Sequence, residues 1–332
     1  MRIPMLAALL SLAAHPALAF YDTGDNVAEL QPGSLQLAKT ANIALVAEKL
    51  VISQHKVHVD YVFRNMGDQP VTTLVVFQMP DVEGPYTNFD AGDTGKDNFL
   101  GYAASQEGGP VRAILQQRVY SAGVEMTTRL INAKVGLNPL SESATKAVAG
   151  LPPATADEWA ALGLIVEDAS QQAPDGKKVF VPAWTMKSAF YWTVTFPPAK
   201  DVHIANSHAN SVGSSVAFRL STDAPADDPD RVALSQKYCV DDAFTKAAAA
   251  IQEGGGDYNA SWTSYKLRGG SPLSPAIGKF TLVVEKSDDS SLVSFCGTAI
   301  KQTGPTTYET TVSDFTPDKD IDILYLDRAE AP

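Results

Sequence analysis

Two cysteines and five histidines are the whole supply of thiolate and imidazole ligands in 332 residues. Their spacing contains no His-Glu-x-x-His, no Cys-x-x-Cys and no His/Asp cluster, so no common metal-donor pattern is written into the chain. Basic residues are scarce as well: 26 Lys and Arg stand against 38 Asp and Glu, a formal net charge of −12. Nucleic acid is bound through concentrated Lys and Arg that displace counterions from phosphates, and this balance excludes such a partner. Neither G-x-x-x-x-G-K-[ST] nor a strand–GxGxxG–helix unit occurs, so no nucleotide cofactor is indicated. There is no G-x-S-x-G elbow, and Gly213-Ser214-Ser215 reads only as a turn-like tripeptide. Internal repeats, low-complexity tracts and long charge runs are absent. Past the first residues, no apolar run approaches the roughly 20 residues of a membrane-spanning helix.

The amino terminus is built differently from the rest. Met1-Arg2 gives a short positive start, Ile3 to Ala14 is largely apolar, and His15-Pro16 cuts the run short. Ala17-Leu18-Ala19 places small residues where a signal peptidase reads, so residues 1–19 are expected to be a cleaved secretory signal. Cleavage after Ala19 starts the mature chain at Phe20 in an oxidising compartment, with 25 basic residues against 38 acidic ones and a net charge of −13. That compartment gives Cys239 and Cys296 a meaning. In an exported chain with only two cysteines a structural disulfide is the expected state. A reactive thiol and its resolving partner would lie within a few residues of each other. Closing so long a loop stabilises by about 4 kcal/mol in the chain-entropy description.

Hydrophobic alternation organises the mature chain. In Ile43–Asp81, Val57, Val59, Tyr61 and Phe63 alternate with His58, Asp60 and Arg64, the period-two signature of a half-buried strand. Asn65-Met66-Gly67-Asp68-Gln69-Pro70 interrupts the pattern and Val71 to Met79 resumes it, which predicts a hairpin. Residues 83–109 hold six glycines together with Asp90, Asp93 and Asp97 and read as one long loop. Val111–Tyr120 fits a strand or a helix start. From Ser121 to Gln172 the alternation is lost. Thr155-Ala156-Asp157-Glu158 has capping-box spacing, so a helix is predicted to start there. Strand signals return at Lys178–Val181 and at Ala189–Phe196, then at Val202, Ile204, Val216–Leu220 and five later stretches. Asp227–Gln252 reads as mostly helical, ended by Gly254-Gly255-Gly256. The fold class expected is mainly β, with β-sandwich-like antiparallel sheets, a small helical insertion and one further helix in the C-terminal half. In domain terms the chain divides into signal 1–19, an N-terminal β region 20–120, a helical insertion 121–176 and a C-terminal β-rich region 177–332 with its helix near 230–252. Residues 20–332 also read as one unit.

Few side chains are candidates for chemistry. The mature chain has His55, His58, His203 and His208, and the odd offset within each pair sends the two to opposite faces of a strand. Adjacent Asp241 and Asp242 could serve acid–base work, but on a helix they diverge by about 100°, and Asp242 as an N-terminal cap is the simpler account. Asn88 to Asp97 is rich in the oxygen ligands that suit calcium but lacks the order and the distal Glu of an EF-hand loop, so a solvated acidic loop is favoured.

Several stretches together resemble a bacterial family known only as domain of unknown function 4424. They are Ala28-Glu29-Leu30, Val59 to Asn65, Phe190 to Pro197, Tyr238-Cys239-Val240-Asp241-Asp242, Leu292 to Gly297, Gly304 to Tyr308 and Asp314 to Asp318. Phe77-Gln78-Met79-Pro80 departs from the family, which more often has Phe-Pro-Leu-Pro there. The resemblance implies an exported, periplasmic protein of a Gram-negative bacterium and brings no assigned catalytic residues. Two functions are carried forward. The first is a noncatalytic binding or scaffold protein for another protein or a glycan or envelope ligand, with no cofactor and no metal. The alternative is a hydrolase of unrecognised type that uses carboxylates of the 83–109 stretch or beside Asp241. A cleft with two close carboxylates, or a histidine with an acid partner, would favour the enzyme, and a shallow aromatic-lined surface would favour binding.

Overall fold

The computed structural model describes residues 35–38, 42–84, 90–172, 178–218, 227–253, 258–267 and 276–329. The expected signal segment and the Ala28-Glu29-Leu30 motif lie outside these residues. The described chain is mainly β, as its alternation predicts. Val57, Val59, Tyr61 and Phe63 of strand Lys56–Asn65 are buried while Asp60 is exposed.

That strand does not pair with Val71–Gln78. Its neighbours are Ile43–Ser53 and Asp201–Ala209 in an eight-stranded sheet, whereas Val71–Gln78 lies between Gln36–Leu37 and Thr185–Phe196 in a six-stranded one. The predicted hairpin is therefore an arch between two sheets. The physical reason is that both strands carry one mainly apolar face, and those faces bury more area facing each other than side by side on one sheet. A second arch lies beside the first, where Thr185–Phe196 passes over Pro197–Lys200 into Asp201–Ala209.

Asn65 fastens both arches. It is fully buried, its Nδ2 donates to the carbonyls of Gln69 (2.7 Å) and Phe196 (2.9 Å), and its Oδ1 accepts from Gly67 N at 2.9 Å. Its own carbonyl accepts from Ala199 N at 2.9 Å. On the outer face Arg64 grips its register partner Asp201 with two bonds of 2.5 and 2.7 Å.

The eight-stranded sheet runs Lys301–Gln302, Thr307–Phe315, Ile277–Glu285, Ile43–Ser53, Lys56–Asn65, Asp201–Ala209, Ala103–Gln106, Gly109–Val111. The pairing of Ile277–Glu285 with Ile43–Ser53 is parallel. Ala103–Gln106 and Gly109–Val111 form a hairpin inside the stretch expected to be one long loop. Glu107 (φ +50°) and Gly108 (φ +76°) supply the two left-handed turn residues that such a tight connection needs. Val111–Tyr120, open between strand and helix in the sequence, contains strand Ile114–Ser121, which pairs with Thr185–Phe196 in the six-stranded sheet.

A five-stranded sheet (Leu292–Phe295, Ile321–Arg328, Tyr258–Tyr265, Ser211–Phe218, Asp90–Ala91) completes the β structure around the core. Inward side chains of all three sheets, among them Phe63, Phe77, Phe196, Ile204, Leu282, Tyr265 and Tyr325, form one continuous cluster. Gly213-Ser214-Ser215 is not a turn but part of strand Ser211–Phe218. Glycine is required there because a Cβ at 213 would stand 2.3 Å from Trp262 Nε1.

Three short helices, α1 (Thr127–Asn132), α2 (Glu142–Ala149) and α3 (Pro153–Ala161), gather around Trp159, Trp184, Leu130 and Val148. Helix α3 starts two residues before the predicted Thr155, because Pro153 at its first position presets the helical φ. Glu158 turns away from Thr155 and bonds Arg129 at 2.5 Å instead. The insertion is not purely helical, since Ile165–Gln172 pairs with Lys178–Pro182 as a two-stranded ribbon.

The helix expected over 227–252 is two helices, α4 (Pro229–Tyr238) and α5 (Asp242–Glu253), broken at Cys239, whose φ is +55°. Asp241, not Asp242, caps α5: its Oδ1 accepts from Phe244 N at 2.8 Å. The break leaves Cys239 free to bond Cys296 across a Cα separation of 5.1 Å, well within the range of an ordinary disulfide. Ser294 Oγ reinforces the staple by donating to Tyr238 O at 2.9 Å. Leu234, Tyr238, Phe244 and Ala248 of the two helices cover Tyr258, Ala260, Leu324 and Leu326 of the five-stranded sheet.

Candidate functional site

The segment after Asp90–Ala91 folds back on itself before entering the large sheet. Asp93 N donates to Phe99 O (2.8 Å) and Lys96 N to Asp93 O (3.0 Å), while Phe99 and Leu100 plug into the core. Asn138, from the connection before α2, reaches across to this segment. Its Nδ2 donates to the carbonyls of Thr94 (2.9 Å) and Lys96 (3.1 Å), and its Oδ1 accepts from Leu140 N (3.0 Å). The sequence signal for that connection is Asn138-Pro139, a turn initiator, followed by Ser141 in a capping position.

Between the two segments lies a cleft of about 420 Å³, lined by Lys96, Asp97, Gln117, Leu137, Asn138, Ser141 and Ser143 together with Gly95 and Gly136. Ser141 Oγ accepts from Ala144 N (3.2 Å), so it caps α2, and it donates its own proton to Asn138 O (2.8 Å). Ser143 Oγ lies 3.1 Å from Ser141 Oγ. Gln117 Nε2 donates to Met186 Sδ at 3.2 Å. Lys96 Nζ sits 2.7 Å from Asp93 Oδ2, which holds the ammonium above its ordinary pKa and the Asp93 carboxyl below its own. Lys96 and Asp97 are the charged side chains of the lining, and the rest are neutral. The lining carries one carboxylate, no histidine and no aromatic ring, so neither signature set out from the sequence describes it. What it offers is hydrogen bonding. The Ser141 proton is already committed to a carbonyl, so no base is poised to turn that hydroxyl into a nucleophile.

The residues singled out in the sequence do not assemble into this cleft, apart from the 93–97 part of the acidic stretch. Residues 85–89 lie outside those described, and Asp90–Ala91 is a short strand against Ser211–Phe218. His55 is exposed at the turn after Ile43–Ser53, and its carbonyl accepts from Asn210 N. His58 Nε2 lies 3.3 Å from Asp60 Oδ2 on the outer face of the large sheet. His203 is exposed, with Glu107 Oε1 accepting from its backbone N–H at 2.8 Å. His208, five residues on, points inward and is buried. Asp242 is exposed, 3.8 Å from Arg231 Nη2. Cys239 and Cys296 are spent on each other. Among the described residues, no three His, Cys, Asp or Glu side chains come together as metal ligands, and no helix is long and apolar enough to cross a membrane.

The sequence reading named His208 among the candidate histidines but did not place it, or Asn206, as a polar residue inside the sandwich. Asn206 and His208 sit at core positions of an alternating strand, and Trp192 reads as simply apolar. The only available signal was a polar residue where the period-two pattern demands an apolar one.

Comparison with curated proteins returns no match. Among solved structures, a protein of Legionella pneumophila provisionally described as nutrient binding aligns over 91% of this chain and 72% of its own, with 12% identity and a TM-score of 0.43. A two-domain M1 zinc metallopeptidase bound to L-tryptophan aligns over 85% of this chain and 42% of its own, with 9% identity and a TM-score of 0.26. The family described as Domain of unknown function (DUF4424) matches residues 23–324, nearly the whole chain, and the chain belongs to that family.

Proposed function

We propose that the chain is an exported, noncatalytic binding protein of the bacterial periplasm, and that the cleft between the 93–97 segment and α2 takes a small hydroxylated ligand such as an envelope glycan. The observation that carries this reading is the make-up of the cleft. Ser141 as a helix cap and Asn138 by three hydrogen bonds fix the cleft wall with their own protons already committed, which leaves the Ser143 hydroxyl and the second lone pair of Asn138 Oδ1 to meet a ligand. Pre-fixed donors and acceptors recognise a polar ligand without spending ordering entropy on binding. Export is supported by the Met1–Ala19 pattern and by a disulfide, which persists in oxidising compartments.

Titration calorimetry of the mature chain against a panel of neutral and acidic envelope saccharides tests the reading. Binding by at least one member is expected, with affinity reduced about tenfold or more in Ser143→Ala, a side chain whose loss disturbs no backbone bond (about 1.4 kcal/mol per decade). Release of a hydrolysis product from any bound saccharide would favour the enzyme instead, and a panel without binding would remove the cleft from consideration.

A further inference from the structure

Strand alternation carries polar side chains into the middle of the sandwich, where several of their polar atoms find no hydrogen-bond partner among the described residues. Asn206 and His208 occupy alternate inward positions of Asp201–Ala209, in line with Val202 and Ile204. Trp192 does the same on Thr185–Phe196, between Phe190 and Val194. The arch joining these strands turns at Ala199, and Trp192 and Asn206 each lie seven residues from it, Phe190 and His208 each nine. The two pairs therefore stand at matching heights on facing sheets. Continuing the register Ser207↔Ala103 brings Tyr102 beside His208. Ring distances agree: Phe77 lies 4.2 Å from Tyr102 and 5.1 Å from His208, and Tyr102 lies 4.9 Å from Phe190.

Tyr102, Trp192, Asn206 and His208 are each at most 7% exposed. The Tyr102 hydroxyl, Trp192 Nε1, both amide atoms of Asn206 and His208 Nε2 are without a hydrogen-bond partner among the described residues. Buried polar atoms are nearly always paired, because an unpaired one forfeits the hydration it had in the unfolded chain. Five such atoms on one patch of core are a pattern rather than scattered defects.

Their chemistry is complementary to one kind of guest. His208 Nδ1 lies 2.8 Å from Ala209 O, which can only accept, so Nδ1 carries the proton and Nε2 presents a lone pair. Trp192 only donates, while Asn206 and the Tyr102 hydroxyl do both. None of the four carries a formal charge with which to pay for burying an ion. Phe77 and Phe190 supply apolar walls.

We propose that Tyr102, Trp192, Asn206 and His208 form an internal binding site for a neutral guest that accepts from the indole N–H and donates to His208 Nε2. Ordered water and a small uncharged alcohol or amide share that chemistry. The site is separate from the cleft and stands whether or not the cleft binds a saccharide.

A crystal structure of the mature chain, at a resolution that shows ordered solvent, tests it. Density within hydrogen-bond distance of His208 Nε2 and of at least one other of the four groups is expected. Separate spherical peaks would identify water. A connected, non-spherical shape would identify a retained solute, whose mass is then read after denaturing release. A site free of density, or side chains turned to pair with one another, overturns the proposal. Asn206→Leu, which keeps the branched shape of the side chain without its polar atoms, gives an independent reading. With a guest in place it should lose the density and lower the melting temperature by several degrees. An unchanged or higher melting temperature would mean that the amide was an unpaired burden, and the proposal fails.

Discussion

Asn65 shows how much one polar side chain can decide. It ends a strand whose other inward residues are apolar, and with three side-chain hydrogen bonds it holds the corner where the chain leaves one sheet for another. Asn65→Ala strands one buried carbonyl, that of Phe196, and loosens two partly buried groups, so a loss of roughly 1–3 kcal/mol is expected, the cost of one buried group left unpaired. Urea unfolding checks this, and a loss below about 1 kcal/mol would deny Asn65 its part in the arch. His208 makes a prediction in pH. Burial pushes its imidazole down to about 4, against an unfolded value of about 6.5. Above the unfolded pKa both states are neutral and the group contributes nothing. As pH falls from 6.5 towards 4 the unfolded chain takes up a proton that the folded one refuses, and stability drops. The loss at pH 4.5 should be about 2–3 kcal/mol and should be missing from the pH profile of His208→Phe. Parallel profiles for the two proteins would count against it.

At the scale of elements, period two reports which face of a strand is buried and says nothing about which strand covers it. Val57–Phe63 and Val71–Phe77 therefore look alike whether they form a hairpin or an arch, and the hairpin reading failed for that reason. Helix signals are similarly local. The alanine-rich stretch 243–251 announced α5, but the break at Cys239 depends on a partner 57 residues away. That disulfide joins the α4–α5 corner to the end of Leu292–Phe295 and closes a loop long enough that its loss should cost a few kcal/mol. Cys239→Ser and Cys296→Ser are expected to lower the melting temperature by similar amounts, with the double variant no worse than either. A double variant much less stable than both would show that the thiols contribute separately.

In the whole molecule, the eight-stranded sheet alternates between distant parts of the chain, with Ile277–Glu285 lying parallel against Ile43–Ser53 and Asp201–Ala209 against Lys56–Asn65. The proposed export belongs to this scale too. The intact mass of the protein recovered from the periplasm should correspond to a chain beginning at Phe20, and retention of Met1–Ala19 in the exported form would contradict the signal reading. By itself the sequence determined what local pattern and chemistry can carry: the β class, the inward faces of the strands, the pairing of its only two cysteines, and a family resemblance spread along nearly the whole chain. Only the tertiary structure decided that Lys56–Asn65 and Val71–Gln78 lie in different sheets around one core, that Asn138 closes a cleft against Thr94 and Lys96, and that Trp192 and Asn206 stand at matching heights on two sheets. The physical reason is that burial is written residue by residue in alternation, whereas the partner that covers a face, or leaves its polar atoms unpaired, is chosen by non-local packing.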